Sequence, residues 1–133
     1  MAREENIVQN RIIKYFNTKE VLFDFPHVKY AHVYRINNKG LNKSRKTLLP
    51  KGFPDLCGEI TIGGIAVKLY IELKAPGKQC TNAEQLDFLE HKRSKGCIAF
   101  WCNCLTDCKN KLREQIIETI YSIKSGKSSM AIE

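Results

Sequence analysis

Two carboxylates and a lysine stand out in this 133-residue sequence: Asp55, which follows Pro54, and the triplet Glu72-Leu73-Lys74. Side chains two apart on a strand project to one face, so Glu72 and Lys74 share a face if this segment is extended. Gly63-Gly64 lies between Asp55 and Glu72, and a Gly-Gly pair between strand-like runs signals a tight hairpin. Asp55 precedes that turn and Glu72 follows it, so pairing brings the two carboxylates together. Side by side they repel unless a cation sits between them. Hard oxygen ligands suit Mg²⁺ or Mn²⁺. A neighbouring lysine can position or deprotonate a water, or steady a developing negative charge. Such a set is suited to hydrolysing a phosphodiester. A Glu-x-Lys triplet alone is weak, because glutamate and lysine alternate on many solvated strands; Pro54-Asp55 across the hairpin makes it more specific.

The elements that must position these residues can be read from the periodicity. Residues 4–16 place Ile7, Val8, Ile12, Ile13 and Phe16 at helical spacing. Residues 17–29 lack a sustained period and contain Pro26, which predicts an irregular stretch. Residues 30–36, YAHVYRI, read as a strand. A polar, basic segment follows, with Lys39, Lys43, Arg45, Lys46 and Lys51, whose charge density suits phosphate contact or a solvated loop. Two strand-like runs, 53–62 and 65–75, flank the glycine pair. In the second, Val67, Leu69, Ile71 and Leu73 fall on one face, and Lys68, Tyr70, Glu72 and Lys74 on the other. Thr81 and Glu84 form a T-x-x-E capping box that predicts a helix starting at Asn82 and ending near Gly96. Gln85 falls in its first turns. Residues 97–104 read as a buried strand and 106–124 as an amphipathic helix, with a frayed tail over 125–133. The predicted order is α-β-β-β-α-β-α: an α/β chain with one mixed sheet flanked by helices.

Bulk properties bound the function. The chain suits a single domain over 1–133, with a core of about 4–124. Twenty-two Lys and Arg against 14 Asp and Glu give a net charge of +8, which favours a polyanionic partner, nucleic acid foremost. No apolar run is long enough to cross a bilayer, and the charged N-terminus lacks a signal-peptide core, so an intracellular (cytoplasmic) location without a membrane partner is expected. Six cysteines are present, with Cys97, Cys102, Cys104 and Cys108 clustered. Their spacing is not that of common zinc sites, and reduced, partly buried thiols are the expectation. His27, His32 and His91 lie outside the motif and are read as ordinary histidines.

The segments KGFPDLCG, YIELKAPGK and TNAEQLDFL occur in that order. Together they resemble the VRR-NUC domain (virus-type replication-repair nuclease), a branch of the PD-(D/E)xK nuclease superfamily, over roughly residues 4–108. The resemblance implies a restriction-endonuclease-like fold. It implies Asp55, Glu72 and the Leu73 carbonyl as ligands of Mg²⁺ or Mn²⁺, and Lys74 as the group that orients or activates water. Gln85 would complete the wall of the site, and Glu5, or equally Glu4, would reach in from the first helix. Each has a plainer reading: a surface residue for Gln85, and favourable helix-start charge for Glu5. Arg35 would clamp a phosphate or pair with a carboxylate. Stand-alone members of the family, often viral or bacteriophage, resemble homodimeric nucleases that cut branched DNA such as four-way (Holliday) junctions. Flap, nicking or single-strand cutting, or non-catalytic DNA binding, are the alternatives. Cys57 inside the motif and the cysteine-rich 97–108 region depart from the usual pattern without replacing a ligand.

If the basic segment grips phosphates, neutralising Lys43, Arg45 and Lys46 together will flatten the dependence of DNA affinity on salt concentration, measured by anisotropy titration. An unchanged slope would make this a solvated segment only.

Overall fold

The N-terminal periodicity forms α1 (Ala2–Asn17), which buries Val8, Ile12, Tyr15 and Phe16 against the sheet. The computed structural model describes residues 2–36 and 49–126. After α1 come α2 (Glu20–Asp24), β1 (Val28–Arg35), β2 (Leu56–Ile62), β3 (Ile65–Leu73), α3 (Ala83–Ser94), β4 (Ile98–Cys102) and α4 (Leu105–Lys124). The strands make one mixed sheet in the order β1-β2-β3-β4. β1 with β2 and β2 with β3 are antiparallel, and β3 with β4 is parallel across the α3 crossover. The architecture is the expected α/β one, a mixed sheet flanked by helices, with α2 added near the start.

The hairpin forms where the glycine pair predicts it. Gly63 and Gly64 have φ of +57° and +87°, the two positive values a tight type I′ turn needs, and Ile62 pairs with Ile65 across it. The alternation along β3 also holds. Val67, Leu69, Ile71 and Leu73 enter the main core with Leu56, Ile60 and Ile62 of β2, Ile98 and Phe100 of β4, and residues of α1 and α4. On the opposite face Tyr70 and Ala99 pack with Leu89 of α3, joined by Phe53, Phe88 and Trp101. Helices therefore cover both faces, with α3 on the side that carries Tyr70 and Glu72.

Several boundaries differ from the sequence reading. The stretch 17–29 contains the one-turn helix α2 and the start of β1, held by buried Val21, Phe25 and Val28 and by the Tyr15 hydroxyl donating to Asp24 Oδ2 at 2.7 Å. A single turn is too short to impose a period on the sequence. β2 begins at Leu56 rather than at 53. The cap of α3 is Asn82, not Thr81: its side-chain oxygen accepts from Gln85 N at 2.9 Å, and the helix begins at Ala83. All six cysteines are free, with Cys80, Cys102 and Cys108 buried, as expected for reduced thiols. Residues 125 and 126 form a turn, while the rest of the tail and Lys39, Lys43, Arg45 and Lys46 lie outside the described residues. Among the described residues, no helix is long and apolar enough to cross a membrane.

Each outer strand is met by a side-chain amide. Asn17 Nδ2 donates to Val33 O at 3.0 Å, and Val33 N donates to Asn17 Oδ1 at 2.8 Å. Gln115 does the same on β4, donating to Ala99 O and accepting from Ala99 N, both at 2.8 Å. Gln115 is buried, so these bonds are made away from water. Replacing it with leucine keeps the volume but orphans two buried backbone groups. Each such loss costs about 1–3 kcal/mol. Gln115→Leu is therefore expected to lower the urea midpoint by an equivalent of at least ~2 kcal/mol at unchanged m-value; no loss would show that water or repacking satisfies Ala99.

Candidate active site

The register of the hairpin builds the site. Leu56 lies opposite Ile71, so the preceding Asp55 comes level with Glu72. Glu72 in turn lies beside Trp101 on β4. The Asp55 carbonyl accepts from Ile36 N at 2.8 Å, extending the same row toward β1. Asp55 is held by its side chain as well: Oδ2 accepts from Leu73 N at 2.8 Å. Lys74 continues past the end of β3, and its backbone N–H donates to Cys102 O at 2.9 Å. Both carboxylates and the lysine are thus tied to the backbone of neighbouring strands.

Gln85 joins them from α3. Its Nε2 donates to Glu72 Oε2 at 2.9 Å, and its Oε1 accepts from Lys74 Nζ at 2.8 Å. Lys74 Nζ also lies 3.4 Å from Glu72 Oε2. The Cys80 thiol adds a weak contact, donating to Gln85 Oε1 at 3.5 Å. The Asn82 cap fixes the turn from which Gln85 projects.

Gly52 explains how the loop carrying Asp55 meets that turn. It has φ of +81°, and a Cβ there would lie 2.3 Å from the Glu84 carbonyl oxygen. Only glycine lets the backbone press this closely on the start of α3. The K-G-F-P-D segment and Gln85 are therefore locked to each other through main chain.

Electrostatics single out Glu72, which is only 4% exposed. Burial first, and then the charge of Asp55, push its carboxyl up to about 8, although Lys74 pulls the other way. Hydrogen bonds reach Asp55 Oδ2 and Glu72 Oε2, and a proton on Glu72 is shared with Asp55. Facing carboxylates are hard oxygen donors, and a divalent cation such as Mg²⁺ or Mn²⁺ would fit in place of that proton. Among the described residues no group of three or more His, Cys, Asp or Glu is arranged for a metal, so the protein's share would be these two carboxylates with the Leu73 carbonyl as the backbone candidate.

No protein-family model, curated protein or solved structure matches the chain.

The structure brings together Asp55, Glu72, Leu73, Lys74 and Gln85. It does not join the other candidates to them. Glu5 is half-buried on α1, while Glu4 is exposed. Asn17 of α1 bonds Val33 and Asn10 bonds Arg35, so the helix start points toward the sheet end that carries the carboxylates. Among the described residues, no hydrogen bond or ion pair links Glu5 to them. Arg35 is exposed and donates to Asn10 Oδ1 at 2.6 Å; it faces α1, away from the α3 side of the sheet. Lys51 is exposed, 3.9 Å from Glu84 Oε2. Lys43, Arg45 and Lys46 are outside the described residues. The sequence reading missed the supporting parts, Asn82 and Gly52. An N-x-x-Q spacing from Asn82 to Gln85 was the available signal for the cap.

The raised Glu72 carboxyl has a consequence for stability. Its value in the fold, about 8, lies above the ordinary 4.5, so between these the folded protein binds the proton more tightly than the unfolded chain. Stability from this group is full below pH ~4.5 and is lost as pH rises toward ~8. In EDTA, the unfolding midpoint is expected to fall across that window in the wild type, and Glu72→Gln is expected to remove most of the fall. Parallel pH profiles would mean that Glu72 is ionised in the folded protein throughout.

Proposed function

We propose that this chain is a metal-dependent endonuclease that hydrolyses phosphodiester bonds in DNA, of the VRR-NUC type that its motifs resemble. The observation that carries this reading is buried Glu72 held level with half-buried Asp55 across β2 and β3, with Gln85 bridging Glu72 and Lys74. Purely structural ion pairs have no need of a second carboxylate that raises the cost of the first. The net charge of +8 supports a polyanionic substrate.

A bound Mg²⁺ or Mn²⁺ would supply Lewis acidity toward the phosphate and a lowered pKa for water. The residues of the chain do the rest. Asp55 and Glu72 lie level across β2 and β3, where their oxygens would hold the cation. Leu73 N fixes the rotamer of Asp55, and Gln85 fixes that of Glu72. Lys74, aimed by its bond to Gln85 Oε1, places a cation where a water is oriented and where the phosphate gains charge. Branched DNA such as a four-way junction is the proposed substrate, cut by a homodimer. A two-fold pair of sites is what symmetric cutting of two strands requires.

The test is cleavage of labelled four-way junction, flap, duplex and single-stranded DNA with Mg²⁺, Mn²⁺ or EDTA. Metal-dependent cutting is expected, reduced by about 10²-fold or more in Lys74→Ala. Symmetric incision confined to the junction supports the dimeric resolvase. Cutting of flaps or single strands instead keeps the nuclease and replaces its substrate. Binding without cutting in any metal would leave a non-catalytic DNA-binding module.

A further inference from the structure

The face of the sheet that carries the carboxylates continues beyond them as a row of rings. Pairing sets Tyr34 beside Cys57 and Cys57 beside Tyr70, one step along the same face from Asp55 and Glu72. His32, Glu59 and Lys68 form the next row. α3 packs on β4 and Tyr70 and, among the described residues, leaves the β1 side open. There Tyr34 is 58% exposed and Tyr30 50%, unusual for large rings on a sheet. His32 and Tyr34 lie edge to face with centroids 4.6 Å apart. Across from them Phe53 packs edge to face on Tyr70 at 6.2 Å. Between the two aromatic walls is an open cleft of about 330 Å³, with Cys57 on its floor and Lys68 in its lining.

We infer that this cleft takes an unpaired base of the DNA strand held at the carboxylates, stacked on Tyr34. This rests on the nuclease reading above and specifies its substrate: a strand with an unpaired nucleotide beside the cleavage point. Three observations favour a base over a second copy of the chain. The cleft is concave and walled by rings on two sides, the shape for one flat group rather than for a self-matching face. Its lining sets Lys68 beside Glu59, Lys92 Nζ lies 5.3 Å from the Tyr70 ring centre at one wall, and the +8 chain attracts a polyanion. By strand spacing and rise, Tyr34 stands roughly 8 Å from Asp55 on the same face, about one nucleotide away. A paired base keeps its faces inside the duplex, so only an unpaired one can reach the rings. Stacking on aromatic side chains is tolerant of sequence.

The experiment is anisotropy binding in EDTA with labelled single-stranded DNA, the same strand carrying abasic positions, and its blunt duplex. Tyr34→Ala and Tyr34→Trp run beside the wild type. Both the abasic strand and Tyr34→Ala are expected to weaken single-strand binding by about fivefold or more, with Tyr34→Trp restoring it and duplex binding unchanged. Because Tyr34 is exposed, its removal leaves the fold in place, and a thermal melt checks this. Unchanged affinity for both the abasic strand and Tyr34→Ala would overturn the stacking inference while metal-dependent cutting by the wild type still upholds the nuclease. A sedimentation shift from dimer to monomer in Tyr34→Ala would assign the face to a second copy instead. A wild type that neither binds nor cuts any of the DNAs would remove both readings.

Discussion

A carboxylate hidden from water beside a second carboxylate is an expensive arrangement, and the centre of this molecule is organised around one. Glu72 is buried, and Asp55 faces it across the hairpin. Burial and like charge both oppose ionisation. Among the described residues, three groups act against that cost. The Gln85 amide and the Lys74 ammonium converge on one oxygen of Glu72, while the Leu73 N–H takes one oxygen of Asp55. The contacts to Glu72 form a chain. Lys74 is aimed by Gln85, Gln85 by the Asn82 cap, and the cap turn is pressed by the backbone at Gly52.

The sheet supplies the rigidity this requires. Glu72 sits on β3, an interior strand paired on both sides, antiparallel to β2 and parallel to β4. One partner delivers Asp55. The other receives the Lys74 N–H at Cys102 O, so the chain is still hydrogen-bonded where β3 ends. The core beneath is continuous, from Ile71 and Leu73 to Ile12 and Phe16 of α1 and Leu112 of α4. A shift of a strand by one position would exchange Glu72 for Leu73 on the charged face, so apolar packing fixes the register of the polar site.

Much of this was legible in the sequence, for identifiable reasons. The hairpin could be read because Gly63-Gly64 satisfies a strict backbone requirement, and the faces of β3 because strand alternation is a short-range rule. Gln85 was found by its motif, but its two hydrogen bonds, to Glu72 and from Lys74, depend on the α3 crossover, which no local pattern encodes. α2 was missed because its support is tertiary, through Val21 and the Tyr15–Asp24 bond. Thr81 was preferred to Asn82 because both are good caps with a polar residue three positions on, and only the geometry of the preceding loop separates them. Glu5 illustrates the opposite limit: a motif can name a residue without saying how it reaches the site.

The amides of Asn17 and Gln115 have a consequence for how this protein can meet others. A mixed sheet with two open sides invites a foreign strand to add to it, the route to runaway fibrils and swapped dimers. Among the described residues, each border strand already has one residue's donor and acceptor occupied, at Val33 and at Ala99. An incoming strand would have to displace an amide before it could zip along either border. Growth of the sheet is thereby blocked at two points by single side chains, and association is left to the broad faces and helices.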